Sequence, residues 1–323
     1  MKASQLFALA ACSGVLGSIL PQTALASCGT AFCTVNSNWT SESAITEGGS
    51  LLDLRYEYVS QNQPRAGTDD VAVGQIRKHH DEVKTVNRNL LLTYSHTFDA
   101  QWGISVTAPV VDRNHFHIHN HRGAQVPERW DFTELGDVRV VGRYQLPDTG
   151  TPLHPRAAGM TFGLKLPTGK TTVANENGDV AEPSLQPGSG TTDAIIGAYY
   201  HQKLPQSGAS WFVQAQYQHA LNSHDNFKPG GQLSADAGYR HSVTDRLGAL
   251  IQLNFLVKRR DSGSAAEPAD SGARYVSLSP GLSYALSDAV QVYGFLQKPV
   301  YRNVNGVQLT ADKALVVGVS GRF

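Results

Sequence analysis

The sequence predicts an all-β protein, an antiparallel up-and-down transmembrane barrel of about twelve strands of the outer-membrane type. Three observations predict it. From residue 50 onward, apolar and polar residues alternate with a period of two, run after run, with almost no helical spacing between runs. The connectors alternate between short and long, as turns on one side of a membrane and loops on the other. Aromatic residues fall toward the ends of the runs, where the two bilayer interfaces would lie.

The opening residues stand apart from the fold. Lys2 precedes an apolar run from Leu6 to Leu20, and Thr23-Ala24-Leu25-Ala26 closes it with a small-x-small pattern, so residues 1–26 read as an export signal. Ser13, Gly14, Gly17 and Ser18 interrupt that run and leave it too short for an anchoring helix. Residues 27–48 form an N-terminal segment expected in the periplasm, or folded inside the barrel as a plug. It carries Cys28 and Cys33, the pair left once Cys12 departs with the signal. A disulfide between them suits an oxidising compartment. Leu25-Ala26-Ser27-Cys28 also fits the box ahead of a lipidated cysteine, so both fates of Cys28 stay open.

Residues 49–323 carry the barrel pattern. In "LLDLRYEYVS", Leu52, Leu54, Tyr56 and Tyr58 fall on one face and Asp53, Arg55 and Glu57 on the other. In "QWGISVTAPV", Trp102, Ile104, Val106, Ala108 and Val110 oppose Gln101, Ser105 and Thr107. Val138, Val140, Tyr144 and Leu146 then oppose Asp137, Arg139, Arg143 and Gln145. Trp211, Val213, Ala215 and Tyr217 oppose Gln214, Gln216 and Gln218. Leu247 to Val257, taken by twos, oppose Gln252, Asn254 and Lys258. Short connectors lie at 98–100, 205–207, 244–246 and 286–288; long polar ones lie at 63–82, 114–133, 169–190, 222–231 and 259–272. A soluble sandwich also alternates, but its loops carry no such asymmetry. In a membrane barrel the apolar face meets lipid and the polar face lines a lumen. The run ending Leu315, Val317, Val319, Phe323 resembles the signal read by the outer-membrane barrel assembly machinery, with Gly321 in place of a bulky residue.

At "LGD" (135–137), "LPTGK" (166–170) and "PGSGTTD" (187–193) the chain resembles the outer-membrane family typified by the transporter encoded with meta-pathway phenol degradation. The resemblance spans most of the chain after residue 50. It implies a barrel that passes small, often hydrophobic or aromatic compounds, and it implies no catalytic residue. "LPTGKTT" is not a phosphate loop, since Leu164 stands where that loop needs its first glycine and no helix signal follows. Ser189 lacks the spacing of a nucleophile elbow.

"RNHFHIHNHRG" places His115, His117, His119 and His121 at every second position. Inward parity continues from Arg113 into these four, so an extended strand would hold a comb of imidazoles over the pore mouth. Histidines two apart on a strand project the same way, about 7 Å apart, and can converge on one zinc or copper ion with a third ligand from elsewhere. The loop before offers His79, His80, Asp81 and Glu82. Two plainer readings stand beside this one: a polar rim, and a mouth gated by protonation below about pH 6.5. The barrel reading requires no cofactor, and a zinc or copper ion enters only with the metal-site alternative.

By parity the lumen carries Asp53, Arg55, Glu57, Arg113, Asp137, Arg139, Arg143, Lys165, Asp236, Arg240 and Lys258. Pairing across strands would partly close the bore; about twelve strands would leave it narrow or partly plugged. Formal charge is zero, with 27 basic and 27 acidic residues, which argues against nucleic acid as a partner. The expected partners are outer-membrane lipid and a small solute. The expected function is an outer-membrane channel or transporter and not an enzyme. A metal-binding surface protein anchored by its barrel, and a barrel enzyme, are the readings from other classes.

Overall fold

The computed structural model describes residues 49–121, 123–147, 150 and 155–323. The export signal, the 27–48 segment and the Cys28–Cys33 pair lie outside the described residues. The strands are β1 (Gly49–Gly67), β2 (Asp69–Asp70), β3 (His80–Thr97), β4 (Trp102–His121), β5 (Ala124–Leu135), β6 (Arg139–Gln145) and β7 (Arg156–Lys165). They continue with β8 (Asp193–Leu204), β9 (Ala209–Ala220), β10 (Gln232–Ser242), β11 (Leu247–Lys258), β12 (Ala273–Ala285) and β13 (Val290–Arg322).

All ring pairings are antiparallel, in chain order once β2 and β5 are set aside, and β13 closes onto β1. Eleven segments form this ring, with β2 and β5 outside it. β13 makes two passes. Residues 290–304 pair with β12, residues 304–322 pair with β1, and Gly306 turns between them at φ +58°. The chain therefore crosses the wall twelve times. Closure leaves the ring no free sheet edge, which lipid demands.

The outward face is apolar. Leu52, Leu54, Leu92, Phe162, Ile196, Val213, Ile251 and Val317 are exposed, and only lipid covers such a surface. Trp102 meets Tyr144 at 4.8 Å and Phe162 at 6.2 Å beside the short turns, as part of an interfacial girdle. The apolar belt ends at the Leu90–Val110 pair. One step beyond it, Arg88 and Asp112 form an outward ion pair at 2.9 Å. β3, β4 and β5 therefore stand above the bilayer as an extension of the wall. Residues 114–133, expected as a long polar connector, are the upper part of the β4–β5 hairpin, paired from Val110↔Leu135 to His121↔Ala124. The reason is local. Alternation continues unbroken on both sides of Gly123, which takes the left-handed φ of +87° that the reversal needs.

Inside, Phe212, Leu250, Tyr293, Phe295 and Val316 form a buried apolar group on one side of the bore. Phe295 lies against Gly281 and Tyr293 against Gly318, where an added Cβ would fall within 2.3 and 2.4 Å of the rings. Alternation does not register such inward aromatics, because they break the polar-in rule.

Candidate functional site

The three motifs meet in space. Asp137, just ahead of β6, accepts the Lys165 ammonium at 2.7 Å, the Gly169 backbone N–H at 3.0 Å, and both the Ser189 N–H and hydroxyl at 3.0 Å. Gly169 and Gly188 touch backbone to backbone, where a Cβ on Gly169 would lie 2.6 Å from Gly188. Lys165 also pairs with Asp193 at 3.3 Å, and Thr191 donates to Asp193 at 2.6 Å. The motif residues thus fasten both ends of the 166–192 loop to the wall.

The middle of that loop folds into the external mouth. Val173, Ala181 and Leu185 pack on Val111, Trp130, Phe132 and Leu309. Three polar ties hold it there: Arg113 donates to the Leu185 carbonyl at 2.7 Å, Trp130 to the Asp179 carbonyl at 2.9 Å, and His80 meets Glu182 at 3.3 Å. The loop is a cap.

Below the cap lies a cavity of ≈ 470 Å³. Of the residues assigned to the lumen by parity, Arg55, Glu57, Arg113, Asp137, Arg139, Arg143, Lys165 and Asp236 line it. Asp53 is instead held by the Tyr293 hydroxyl at 2.9 Å, Lys258 pairs with Asp261 at 2.9 Å, and Arg240 borders a separate cavity with Lys203 and Arg322. Arg55 pairs with Glu57 at 3.1 Å. Arg139 donates to Gln218, and Arg143 donates to Gln145 at 3.2 Å and Thr97 at 3.3 Å. Among the described residues no carboxylate lies within 4.0 Å of Arg139 or Arg143. Asp236 is met by Gln214 and Asn254, both at 2.7 Å.

Above the cap stands the histidine cluster. β4 presents Arg113, His115, His117 and His119 inward by alternation. β3 needs a bulge to match it. Pairing shifts between Glu82 and Lys84, so Val83 is the extra residue. Below it the inward residues are Thr85, Asn87 and Asn89; above it they are His80 and Glu82. Without the bulge His80 and Glu82 would turn to the outer face. The register then sets Glu82 and Glu128 on either side of His117.

The result is a buried set of imidazoles and carboxylates. His115 is 0% and His117 1% exposed, and His80, Glu82 and Glu182 are buried. His115 Nε2 lies 3.1 Å from His117 Nδ1. Glu82 approaches the same two nitrogens at 3.7 and 4.0 Å. His117 Nε2 lies 2.8 Å from Glu128, and His115 Nδ1 lies 2.8 Å from the Thr85 hydroxyl. An ionised carboxylate only accepts, so His117 Nε2 carries the hydrogen and Nδ1 keeps its lone pair. His79 Nδ1 lies 3.1 Å from His80 Nε2, and His119 packs on both rings at 4.3 and 4.6 Å. Burial, reinforced by the neighbouring imidazoles, pushes His117 down to about 3. Burial also lowers His115 strongly and His80 in the same direction. These rings are therefore neutral at neutral pH. His121 ends β4, and its side chain lies outside the described residues.

Sequence reasoning missed Glu128, Glu182 and Thr85. Glu128 was within reach, since a turn next to Gly123 fixes 117 opposite 128. Glu182 comes from a distant loop, and nothing local signals it.

No model of a known protein family matches the chain, and no curated protein matches it. Among solved structures it is similar to an outer membrane channel from Pseudomonas putida F1, at 13% identity and a TM-score of 0.64, covering 87% of this chain and 98% of that one. Weaker likenesses include the CymD monoaromatic hydrocarbon channel (10% identity, TM-score 0.44, 90% and 94% covered) and the KdgM porin (10%, 0.42, 84% and 99%). The first shows a shared fold. Together with the apolar belt, it makes this an outer-membrane β-barrel.

Proposed function

We propose that the chain is an outer-membrane channel for a small polar solute, with a preference for organic anions, and that the 166–192 loop caps its external mouth. The observation that carries the reading is the ≈ 470 Å³ cavity inside a closed barrel, with Arg139 and Arg143 in its wall held by neutral groups. Five basic side chains face four acidic ones there, counting Asp193, and the pairs Arg55–Glu57 and Lys165–Asp137 cancel. A field of surplus positive charge in a low-dielectric bore selects anions. The charged wall favours a polar permeant over a purely hydrophobic one. In this reading the barrel is a conduit and not an enzyme. It is exported by the 1–26 signal and inserted by the assembly machinery through Phe323.

The test is single-channel recording in a planar bilayer under a potassium chloride gradient. The expected reversal potential reports anions passing faster than cations. Arg139→Gln with Arg143→Gln should remove that preference. Folded protein that stays silent even after the cap is shortened would overturn the channel reading.

A further inference from the structure

We propose that the external mouth is a binding site for two transition-metal ions of the zinc and copper class. The inner ion is held by Glu82, His115 and His117, the outer by His79, His80 and His119.

The inner set has the geometry of a ligand shell. Tetrahedral zinc with nitrogen and oxygen ligands near 2.0–2.1 Å places those ligands about 3.4 Å apart. His115 Nε2, His117 Nδ1 and the Glu82 carboxylate stand 3.1, 3.7 and 4.0 Å apart. Each imidazole is oriented from behind, His115 by the Thr85 hydroxyl and His117 by the Glu128 carboxylate, both at 2.8 Å. A carboxylate behind a ligating histidine fixes its tautomer and raises its basicity. The arrangement turns two ring nitrogens and a carboxylate toward one point, where a cation would replace the hydrogen shared between His115 Nε2 and His117 Nδ1. Three ligands leave the fourth position to water.

The outer set is similar. The ligand atoms of His79, His80 and His119 all lie within 4.8 Å of one another, and Glu182 stands behind His80 at 3.3 Å. A third grouping, His80, His117 and Glu128, takes members from both sets. The inner and outer sets share no residue, so two ions fit at once. The middle grouping gives an ion a stepping place between them.

Access is built in. A cavity of ≈ 160 Å³ reaches His79, His80 and Glu82, with Asp81, Glu267 and Asp270 on its wall. Lys78 on that wall is held by Asp270 at 2.8 Å, which leaves the approach acidic. Nitrogen-rich ligands select zinc or copper over calcium and magnesium, which need oxygen. Because Glu182 belongs to the cap, occupancy of the outer set ties the ion to the loop over the lumen.

Zinc is the probe. Folded, chelator-treated barrel is titrated with zinc chloride by calorimetry, and bound zinc is counted by elemental analysis. The expected result is two zinc per chain. His115→Ala with His117→Ala should leave one, His79→Ala with His119→Ala should leave one, and all four together none. Heat-modifiable gel mobility reports that each variant is folded. Cobalt(II) in the wild type should show the intense visible bands of tetrahedral nitrogen–oxygen coordination, and these should weaken with the inner pair removed. Zinc retained by the fourfold variant, or a stoichiometry that none of the variants changes, would overturn the assignment. The count is read without conductance, so it stands or falls apart from the channel reading.

Discussion

The lumen wall and the external mouth draw on the same material, charged and polar side chains on an inward strand face, and use it differently. In the wall, most charged groups meet complementary ones, while Arg139 and Arg143 meet neutral acceptors. Lys165 has Asp137 and Asp193, Arg55 has Glu57, and Asp236 has two amide donors. In the mouth, metal-ligating atoms converge, with His115, His117 and Glu82 inside about a ligand shell's width. A matched set is a finished surface for a solute to slide along. An acceptor-rich set is completed by a cation. The difference comes from backbone register, since regular alternation builds the wall and one bulged residue builds the mouth.

The largest expected effect breaks the wall. Asp137→Ala strips four hydrogen bonds at once and leaves Lys165 buried with Asp193 as its remaining carboxylate. Breaking a buried pair by removing one partner costs about 3–5 kcal/mol. Urea unfolding in lipid vesicles measures it, and conductance should rise as the 166–192 cap loosens. A loss below about 1 kcal/mol would show the knot to be peripheral. Zinc binding at the mouth should survive if the folded barrel does.

The next effect breaks the mouth and spares the wall. Deleting Val83 together with Lys84 joins Glu82 to the inward Thr85, and strict alternation then turns Glu82 and His80 outward. One ligand leaves each proposed metal set, so zinc stoichiometry should fall from two to none, while anion selectivity holds. Val83→Ala keeps the bulge and should keep both ions. Unchanged stoichiometry in the double deletion would mean that strand register does not position the ligands.

The same contrast explains what the sequence could disclose. The wall was legible because period-two alternation is local, and closure, strand number and the facing of Arg139 or Lys165 all follow from parity. The comb on β4 was legible for the same reason. The bulge was not, since nothing in "HHDEVK" marks Val83 as extra until β4 is laid beside it. Nor was the cap: "LPTGK" and "PGSGTTD" read as loop ends, and only the fold brings both to Asp137. The inward Phe212 and Phe295 escaped a rule that sends aromatics to lipid.

A smaller change sharpens the mouth. Glu128→Gln keeps the volume behind His117 but replaces the carboxylate that accepts its Nε2 hydrogen. Loss of such a supporting group costs roughly 10–100-fold in metal affinity. Glu128 also stands 3.5 Å from His119 Nδ1, so zinc calorimetry should show the inner site weakened by that factor and the outer site weakened less. Equal weakening of both would indicate general loosening of the hairpin rather than support of one ligand.

The smallest effect is a pH dependence of the metal-free mouth, and its sign follows from burial. His117 titrates near 6.5 when the hairpin is open and is pushed down to about 3 when it is packed. His115 and His80 shift in the same direction. Between those values the open form binds protons that the packed form refuses, so opening gains ground as pH falls. The stabilisation is fully present above about 6.5 and is lost progressively below it. Hydrogen exchange on chelator-treated protein should therefore show residues 80–84 and 115–119 losing protection from about pH 6.5 downward, while the amides of β8 to β11 hold theirs. His117→Gln should blunt the loss. Protection that stays constant across that window, after correction for intrinsic exchange, would mean that the imidazoles are already solvated, and the contrast between a wetted wall and a dry mouth would fail.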